Sequence, residues 1–349
     1  MLIENTNPEI AETPEAPKKK FDDVPGFRTG FVALVGRPNV GKSTLLNTLL
    51  GEKLAAVSPK AQTTRRRFRG IRTDADSQII FVDTPGLHKA PEGKKLNEYC
   101  VSEALDALGD TEICVYIVDG TRPFRPTMED GDENFLIQSL KGALAKAPRP
   151  LFVLLNKVDV WEKGGTRFGE QADFAEGLKE LPVTAIFPIS AKHGQGVDEF
   201  LAAVKAVIPE GPALYPEDEL TDQNLRTIAG ELVQEALFYL LGDELPYSCA
   251  VEIEQWKEIS PTQKYPEIHA AIHVERDSQK PMVIGKGGAK IKEIGQNARA
   301  SIEKLLGTKV VLKTFVKVTH KWSKNPEQLK LLGYVLPDKN QQRRARRTF

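Results

Sequence analysis

The chain has 349 residues, 40% of them hydrophobic and 28% charged, with 48 Lys+Arg balanced by 48 Asp+Glu. That composition excludes a disordered or fibrous chain and suffices for two globular domains with ordinary cores. The zero net charge hides an asymmetry: residues 276–349 carry 18 Lys+Arg and 5 Asp+Glu, which leaves 30 basic and 43 acidic residues for the rest. An acidic body with a basic end is the electrostatic footprint of a polyanion binder, the plain alternative being a solvated lysine face without a partner.

Residues 1–27 begin acidic, proline-bearing and short of apolar side chains, which predicts a flexible extension and excludes a signal peptide. No apolar run approaches the ~20 residues of a membrane-spanning helix. Cys100, Cys114 and Cys249 are too few and too scattered for a disulfide framework or a paired-cysteine zinc site. These features predict a soluble protein of a reducing cytoplasm.

Short apolar runs then recur as FVALV (31–35), IIFV (79–82), ICVYIV (113–118), LFVLL (151–155) and VTAIFPI (183–189). With helix-like stretches between most of them, they predict an α/β domain with a mainly parallel sheet and helices on both faces. RRFRGIRTDADSQIIFVD adds an antiparallel hairpin turning near residues 74–77. The runs lead into GRPNVGKS, DTPG, DGTR, NKVD and SAK, at the carboxyl ends of strands where open α/β sheets bind ligands.

GRPNVGKS (36–43) matches G-x-x-x-x-G-K-[ST] between a strand and the helical STLLNTLLG. In such a loop Gly36 and Gly41 let backbone N–H groups turn around a phosphate, Lys42 reaches the β and γ oxygens, and the Ser43 hydroxyl can ligate Mg²⁺. Arg37, Pro38, Asn39, Val40 and Thr44 complete the expected phosphate contacts. NKVD selects the base: Asp159 can accept from N1–H and the N2 amino group of guanine, which adenine lacks, and unpaired buried polar groups are costly. Asn156, Lys157 and Val158 share that loop, and in SAK (Ser190, Ala191, Lys192) the Ala191 N–H is placed to donate to guanine O6. In DTPG, Asp83 is expected to hold Mg²⁺ through water and Gly86 to offer its N–H to the γ-phosphate, with Thr84, Pro85 and Leu87 alongside. In QTTRR (62–66) Thr64, chosen over Thr63, is expected to close over Mg²⁺ and the γ-phosphate. The expected Mg²⁺ set is therefore Ser43, Thr64 and Asp83, and the catalytic set Lys42, Thr64, Asp83 and Gly86. Both switch stretches can order around a triphosphate and relax after hydrolysis to GDP.

A proline-rich acidic linker (209–222) precedes an amphipathic helix over about residues 223–241. Strand-like SCAVEIEQW and IHAAIHVER follow, then VIGKGGAKIKEIG, a helix with Ile291, Ile294, Ala298, Ile302 and Leu305 on one face, and a strand VVLKTFVKV. Helix, two strands, two helices and a strand is the order of an α+β type II KH domain. There a GxxG loop, here Gly285, Lys286, Gly287 and Gly288, brings backbone close to about four nucleotides of single-stranded RNA. A lone GxxG also serves as a helix cap; Lys286, Lys290 and Lys292 and the basic surplus favour RNA.

Over residues 28–335 the chain resembles the Era GTPases of bacteria, on GRPNVGKS, QTTR, DTPG, NKVD, LTD (220–222), ELPYS (244–248), VIGKGGAKIKEIG and LGYV (332–335). The resemblance implies GTP hydrolysis coupled to binding the 3′ end of 16S rRNA in assembly of the small (30S) ribosomal subunit, with peripheral membrane association. The expected division is an extension to residue 27, a GTPase domain over 28–208, a linker over 209–222, a KH domain over 223–335 and a basic tail over 336–349.

Leu87 stands where many small GTPases place a water-orienting glutamine, so slow intrinsic hydrolysis is expected. Asn39 resembles the asparagine that in related GTPases helps bind K⁺ where an arginine finger otherwise acts. Arg65, Arg66, Arg67, His88 and Lys89 are further side chains within sequence reach of the site. The rival readings are a metabolic P-loop kinase or ATPase, which NKVD and SAK disfavour, and a membrane-signalling GTPase whose polybasic tail reads anionic lipid.

Overall fold

A computed structural model describes residues 24–60, 63–88, 95–122, 124, 131–160, 177–242, 244–261 and 263–334. Lys89, the extension before residue 24 and the basic tail lie outside the described residues.

The first domain is a six-stranded sheet in the order β2-β3-β1-β4-β5-β6. Its strands are β1 (Arg28–Gly36), β2 (Phe68–Thr73), β3 (Ser77–Asp83), β4 (Ile113–Asp119), β5 (Leu151–Asn156) and β6 (Val183–Ile189). Among the described strand pairs of this sheet only β2 with β3 is antiparallel, Phe68 opposite Asp83 and Thr73 opposite Gln78, which is the hairpin expected from the sequence. The helices are α1 (Lys42–Leu50), α2 (Lys95–Gly109), α3 (Asp132–Lys146) and α4 (Val197–Val207). Strands β3, β4 and β5 are buried along their whole length, as a sheet covered on both faces demands. Alternate residues serve alternate cores: Val32 and Leu34 pack with Leu45, Leu46 and Leu49 of α1, whereas Ala33 and Val35 face Leu136 and Leu140 of α3.

In the second domain α5 (Leu225–Leu240) begins at Asn224, whose side-chain oxygen accepts from the Thr227 N–H at 2.8 Å. It packs with α7 (Ala289–Leu306) on one face of a sheet ordered β7-β8-β9, formed by Cys249–Lys257, Glu267–Val274 and Val311–Val318. Ile294, Ala298 and Ile302 of α7 are buried, with Ile291 and Leu305 packed beside them, as the helical spacing predicts. Between α6 (Gln279–Ile284) and α7 runs the glycine turn.

Residues 209–222 are tied down rather than loose. Gly211 N–H donates to Phe27 O, Leu214 and Tyr215 N–H both donate to Gln78 Oε1, Ile71 N–H donates to Leu220 O, and Arg69 pairs with Asp222 at 2.7 Å. A shared core also joins the domains: Leu96, Tyr99 and Cys100 of α2 pack with Ala250, Trp322, Leu329, Leu332 and Tyr334. The segment after β9, including α8 (Pro326–Leu331), therefore reaches back across the GTPase domain.

Candidate nucleotide site and nucleic-acid interface

The phosphate loop joins β1 to α1, and its glycines are sterically required. A Cβ on Gly36 would lie 2.5 Å from Ile117 O, and one on Gly41, at φ 103°, would lie 2.3 Å from Asn156 Nδ2. Lys42 is buried beneath the loop, its ammonium donating to Gly36 O at 3.2 Å and Arg37 O at 2.9 Å. Burial lowers its pKa to about 8, against an upward pull from Asp83.

Three side chains converge where a metal is expected. Ser43 Oγ donates to Asp83 Oδ2 at 2.5 Å and lies 2.9 Å from Thr64 Oγ1, itself 3.4 Å from the same carboxylate oxygen. Thr63 turns elsewhere, to Ser58 Oγ at 2.5 Å and Lys60 O at 3.1 Å. Asp83 is fully buried and, among the described residues, its Oδ1 has no hydrogen-bond partner. A buried carboxylate oxygen without a partner, beside two hydroxyls, suits a hard divalent cation such as Mg²⁺. Burial raises the Asp83 carboxyl pKa to about 6, opposed by Lys42 and the two hydroxyls.

The DTPG turn is pressed onto the loop: a Cβ on Gly86 would lie 2.6 Å from Pro38 N and 2.7 Å from its Cα. Thr84 uses its hydroxyl internally, donating to Leu34 O at 2.8 Å, and buried Leu87 donates its N–H to Gly36 O at 3.1 Å. Buried His88 sets Nδ1 3.0 Å from Gly86 O.

The base loops meet through Asn156. Its Nδ2 donates to Val40 O at 2.7 Å, and its Oδ1 accepts from Lys157 N–H at 2.8 Å and Ala191 N–H at 2.9 Å. The Ala191 N–H expected to meet guanine O6 is thus already partnered within the protein, and O6 can share that hydrogen only as a second acceptor. A buried amide cannot remain unpaired at little cost, which is why Asn156 takes it. Ser190 Oγ donates to Asp159 Oδ1 at 2.7 Å and aims that carboxylate, while Val158 is buried beneath the turn and Lys192 is exposed. Lys157, at φ 74°, reaches Asn39 O at 3.0 Å and Asp119 Oδ2 at 2.6 Å. Asp119, in DGTR, is a positioning residue the motifs alone did not identify.

A cavity of about 460 Å³ lies over the phosphate loop and the expected metal residues, lined by Asn39, Lys42, Ser43, Thr64, Gly86 and Lys157 and also by Tyr239 of α5.

Several basic residues within sequence reach of the site point away from it. Arg37 pairs with Glu133 at 3.3 Å and Asp132 at 3.6 Å, and Arg67 with Glu103 at 3.0 Å. Arg65 is buried and donates to Cys249 O at 2.7 Å and Pro246 O at 3.2 Å, with its guanidinium 5.5 Å from the Phe238 ring centre. Arg66 donates to Leu332 O and lies 4.6 Å from the Tyr334 ring centre. Nothing in a lone Thr-Thr-Arg-Arg distinguishes arginines bound for a second domain from arginines bound for a phosphate.

At the second cradle Gly285, Gly287 and Gly288 have φ of 74°, 58° and 78°, a conformation that favours glycine. A Cβ on Gly285 would lie 2.6 Å from Lys290 Cβ, whereas one on Gly287 would meet no atom within 4 Å. The turn is therefore packed at its first glycine and open at its third residue. Lys286 and Lys292 are exposed, and Lys290 pairs with Glu293 at 3.0 Å.

Comparison with known proteins agrees with this architecture. Residues 31–157 match the model of a 50S ribosome-binding GTPase, and residues 244–323 that of a KH domain. The chain is 44% identical over 311 residues to GTPase Era of Geobacter metallireducens, spanning 88% of this chain and 98% of the relative. With GTPase Era of Pseudomonas aeruginosa the identity is 43% over 318 residues, 90% of this chain and 97% of the relative. Among solved structures, Era in complex with MgGDPNP and nucleotides 1506–1542 of 16S ribosomal RNA superposes with a TM-score of 0.81 at 38% identity, over 89% of this chain and all of that one. An Aquifex aeolicus Era variant bound to GDP and AlF4⁻ gives 0.80 at 37% identity with the same coverage. A GTPase domain joined to a KH domain, with both glycine cradles in place, thus goes with close relatives along nearly the whole chain: the protein belongs to the Era family of GTPases.

Proposed function

We propose that this GTPase couples its nucleotide state to binding of the 3′ end of 16S rRNA during assembly of the 30S subunit. The observation that carries the coupling is one tripeptide: Thr64 sits on the metal carboxylate while Arg65 and Arg66 are anchored in the second domain. A change at the γ-phosphate that moves Thr64 must pull on the KH domain. The RNA assignment is supported by the glycine turn with its exposed lysines and by the 16S fragment held by the related Era structure.

In this reading Lys42 leaves its two backbone carbonyls for the β and γ phosphate oxygens, and the Gly86 N–H meets the γ-phosphate. Bound Mg²⁺, held by Ser43, Asp83 and Thr64, supplies charge neutralisation at the phosphates. Asp159 reads the guanine edge, and Leu87, buried and apolar, leaves intrinsic hydrolysis slow. K⁺ belongs to the reading through Asn39, which at φ 64° donates from Nδ2 to Pro59 O at 2.8 Å and so presents its oxygen on the other arm of the amide. The functional units are residues 28–208, the bonded strap 209–222, the KH domain 223–335 and the basic tail. The setting is the cytoplasm, with peripheral membrane contact through the basic end. The three cysteines are free and buried, and among the described residues no helix is long and apolar enough to cross a membrane.

The test is binding of a fluorescent RNA carrying the 16S 3′ end, against a scrambled RNA, with GTPγS or GDP bound. Tighter binding of the cognate RNA with GTPγS is expected. Equal binding of both RNAs in both states rejects the reading.

A further inference from the structure

The nucleotide cavity is not built by the GTPase domain alone. Its lining includes Tyr239, from the last turn of α5 in the KH domain, together with Val57, Ser58 and Pro59. One turn earlier on the same helix face, Glu235 is buried and fixed to the GTPase domain. Its Oε1 accepts from Val57 N–H at 3.3 Å and pairs with Lys53 at 3.0 Å. Residues four apart on a helix share a face, so anchoring Glu235 on segment 53–57 carries Tyr239 past it to the rim of the cavity. Just beyond, Lys60 donates to Leu241 O, and Pro59 O accepts from Asn39 of the phosphate loop, so the helix end, the segment and the loop form one bonded unit.

Tyr239 is 57% exposed. As one of the side chains lining the cavity, it offers a ligand there an apolar ring face and a hydroxyl.

We propose that Tyr239 is a nucleotide-contacting residue by which the KH domain closes one wall of the guanine-nucleotide pocket and slows release. The proposal rests on the GTP-site reading above. It makes the residence time of GDP depend on the second domain being docked, because the ring leaves the pocket whenever α5 leaves segment 53–60.

Two variants of the full-length protein test it. With Tyr239→Ala, release of tritiated GDP should accelerate roughly five-fold, the scale of one lost aromatic contact. RNA affinity and thermal midpoint should stay near wild type, since the ring is mostly outside the core. With Tyr239→Trp, excitation at the indole should add energy transfer to bound mant-GDP beyond that from the three native tryptophans. Unchanged release from Tyr239→Ala overturns the proposal. So does faster release without added transfer in Tyr239→Trp, which would mean that the side chain acts through docking rather than contact. Failure of the wild type to bind GDP at all would instead refute the nucleotide site itself.

Discussion

Thr64 and Arg65 are neighbours in the chain that serve different domains: Thr64 Oγ1 lies 2.9 Å from Ser43 Oγ at the metal site, and Arg65 Nη1 donates to Cys249 O at 2.7 Å in the KH domain. One peptide unit thus joins the proposed γ-phosphate sensor to the KH domain. Arg65→Ala strands two buried carbonyls, those of Cys249 and Pro246, at a cost of about 2–4 kcal/mol to domain docking. The measurable result is RNA affinity that no longer differs between the GTPγS and GDP states. A state dependence as large as in wild type would show that the coupling runs elsewhere.

The proposed base-selecting residue is Asp159, whose carboxylate accepts from Ser190 Oγ at 2.7 Å. Asp159→Asn replaces an acceptor of two guanine donors with an amide that can donate to the C2 carbonyl of xanthine. Competition between GTP and XTP should move toward XTP by up to roughly two orders of magnitude, the scale of one buried polar group left unpaired. Unchanged GTP preference contradicts the assigned role.

The metal site should titrate. Burial holds the Asp83 carboxyl at about 6, above its ordinary value, so below that pH a proton occupies the group that Mg²⁺ needs. In the metal-free protein the stability contributed by the protonated acid is present below the ordinary carboxylate range and is lost as pH rises through about 6, and Mg²⁺ restores most where the loss is complete. Affinity for Mg²⁺, read as its slowing of GDP release, should fall about ten-fold between pH 7.5 and pH 5, since one pH unit below the pKa leaves about a tenth of the carboxylate ionised. Asp83→Asn should bind Mg²⁺ weakly with a flatter profile, which separates this carboxylate from titration of the nucleotide's own phosphates.

Potassium has its own test. Exchanging K⁺ for Na⁺ at fixed ionic strength should lower GTP turnover several-fold in wild type and change it little in Asn39→Ala, because a cation of the right size fixed beside the phosphates stabilises the charge that develops there. Equal wild-type rates in both salts remove the role of Asn39 in binding K⁺.

Most of the fold was legible because strand burial and helix periodicity are local signals. The all-apolar runs of β4 and β5, the hairpin turn at residues 74–77 and the Ile294, Ala298, Ile302 face of α7 follow directly from spacing. Glycine positions were legible too, since Gly41 and Gly285 occupy backbone that a side chain would strain or block. What was hidden depends on partners distant in the chain. Arg65 meets an oxygen 184 residues away, Arg66 one 266 residues away, and the Ala191 N–H turns to Asn156 rather than standing open for a base. Residues 209–222 read as a linker because proline and acid residues dominate, yet Gln78 and Arg69 bind them to the sheet edge. A motif states which chemistry is present; which of two domains a neighbouring arginine serves is decided by packing.

On this reading one chain holds two chemically separate cradles, one for a nucleotide and one for an RNA backbone. The double substitution Lys286→Asp and Gly287→Asp tests it most directly. The turn can tolerate the new side chain at residue 287, where a Cβ meets no atom within 4 Å and where aspartate accepts a positive φ better than most residues. Negative charge then stands where phosphates should pass. The measurement is RNA affinity across a salt series, alongside mant-GTP affinity on the same preparation. RNA binding should weaken by about ten-fold or more with a flatter dependence on salt, because phosphate contacts and their counterion release are lost, while GTP affinity stays within about three-fold, a change under about 1 kcal/mol. Undiminished RNA binding by this variant would reduce VIGKGGAKIKEIG to a helix cap and leave the second cradle without RNA.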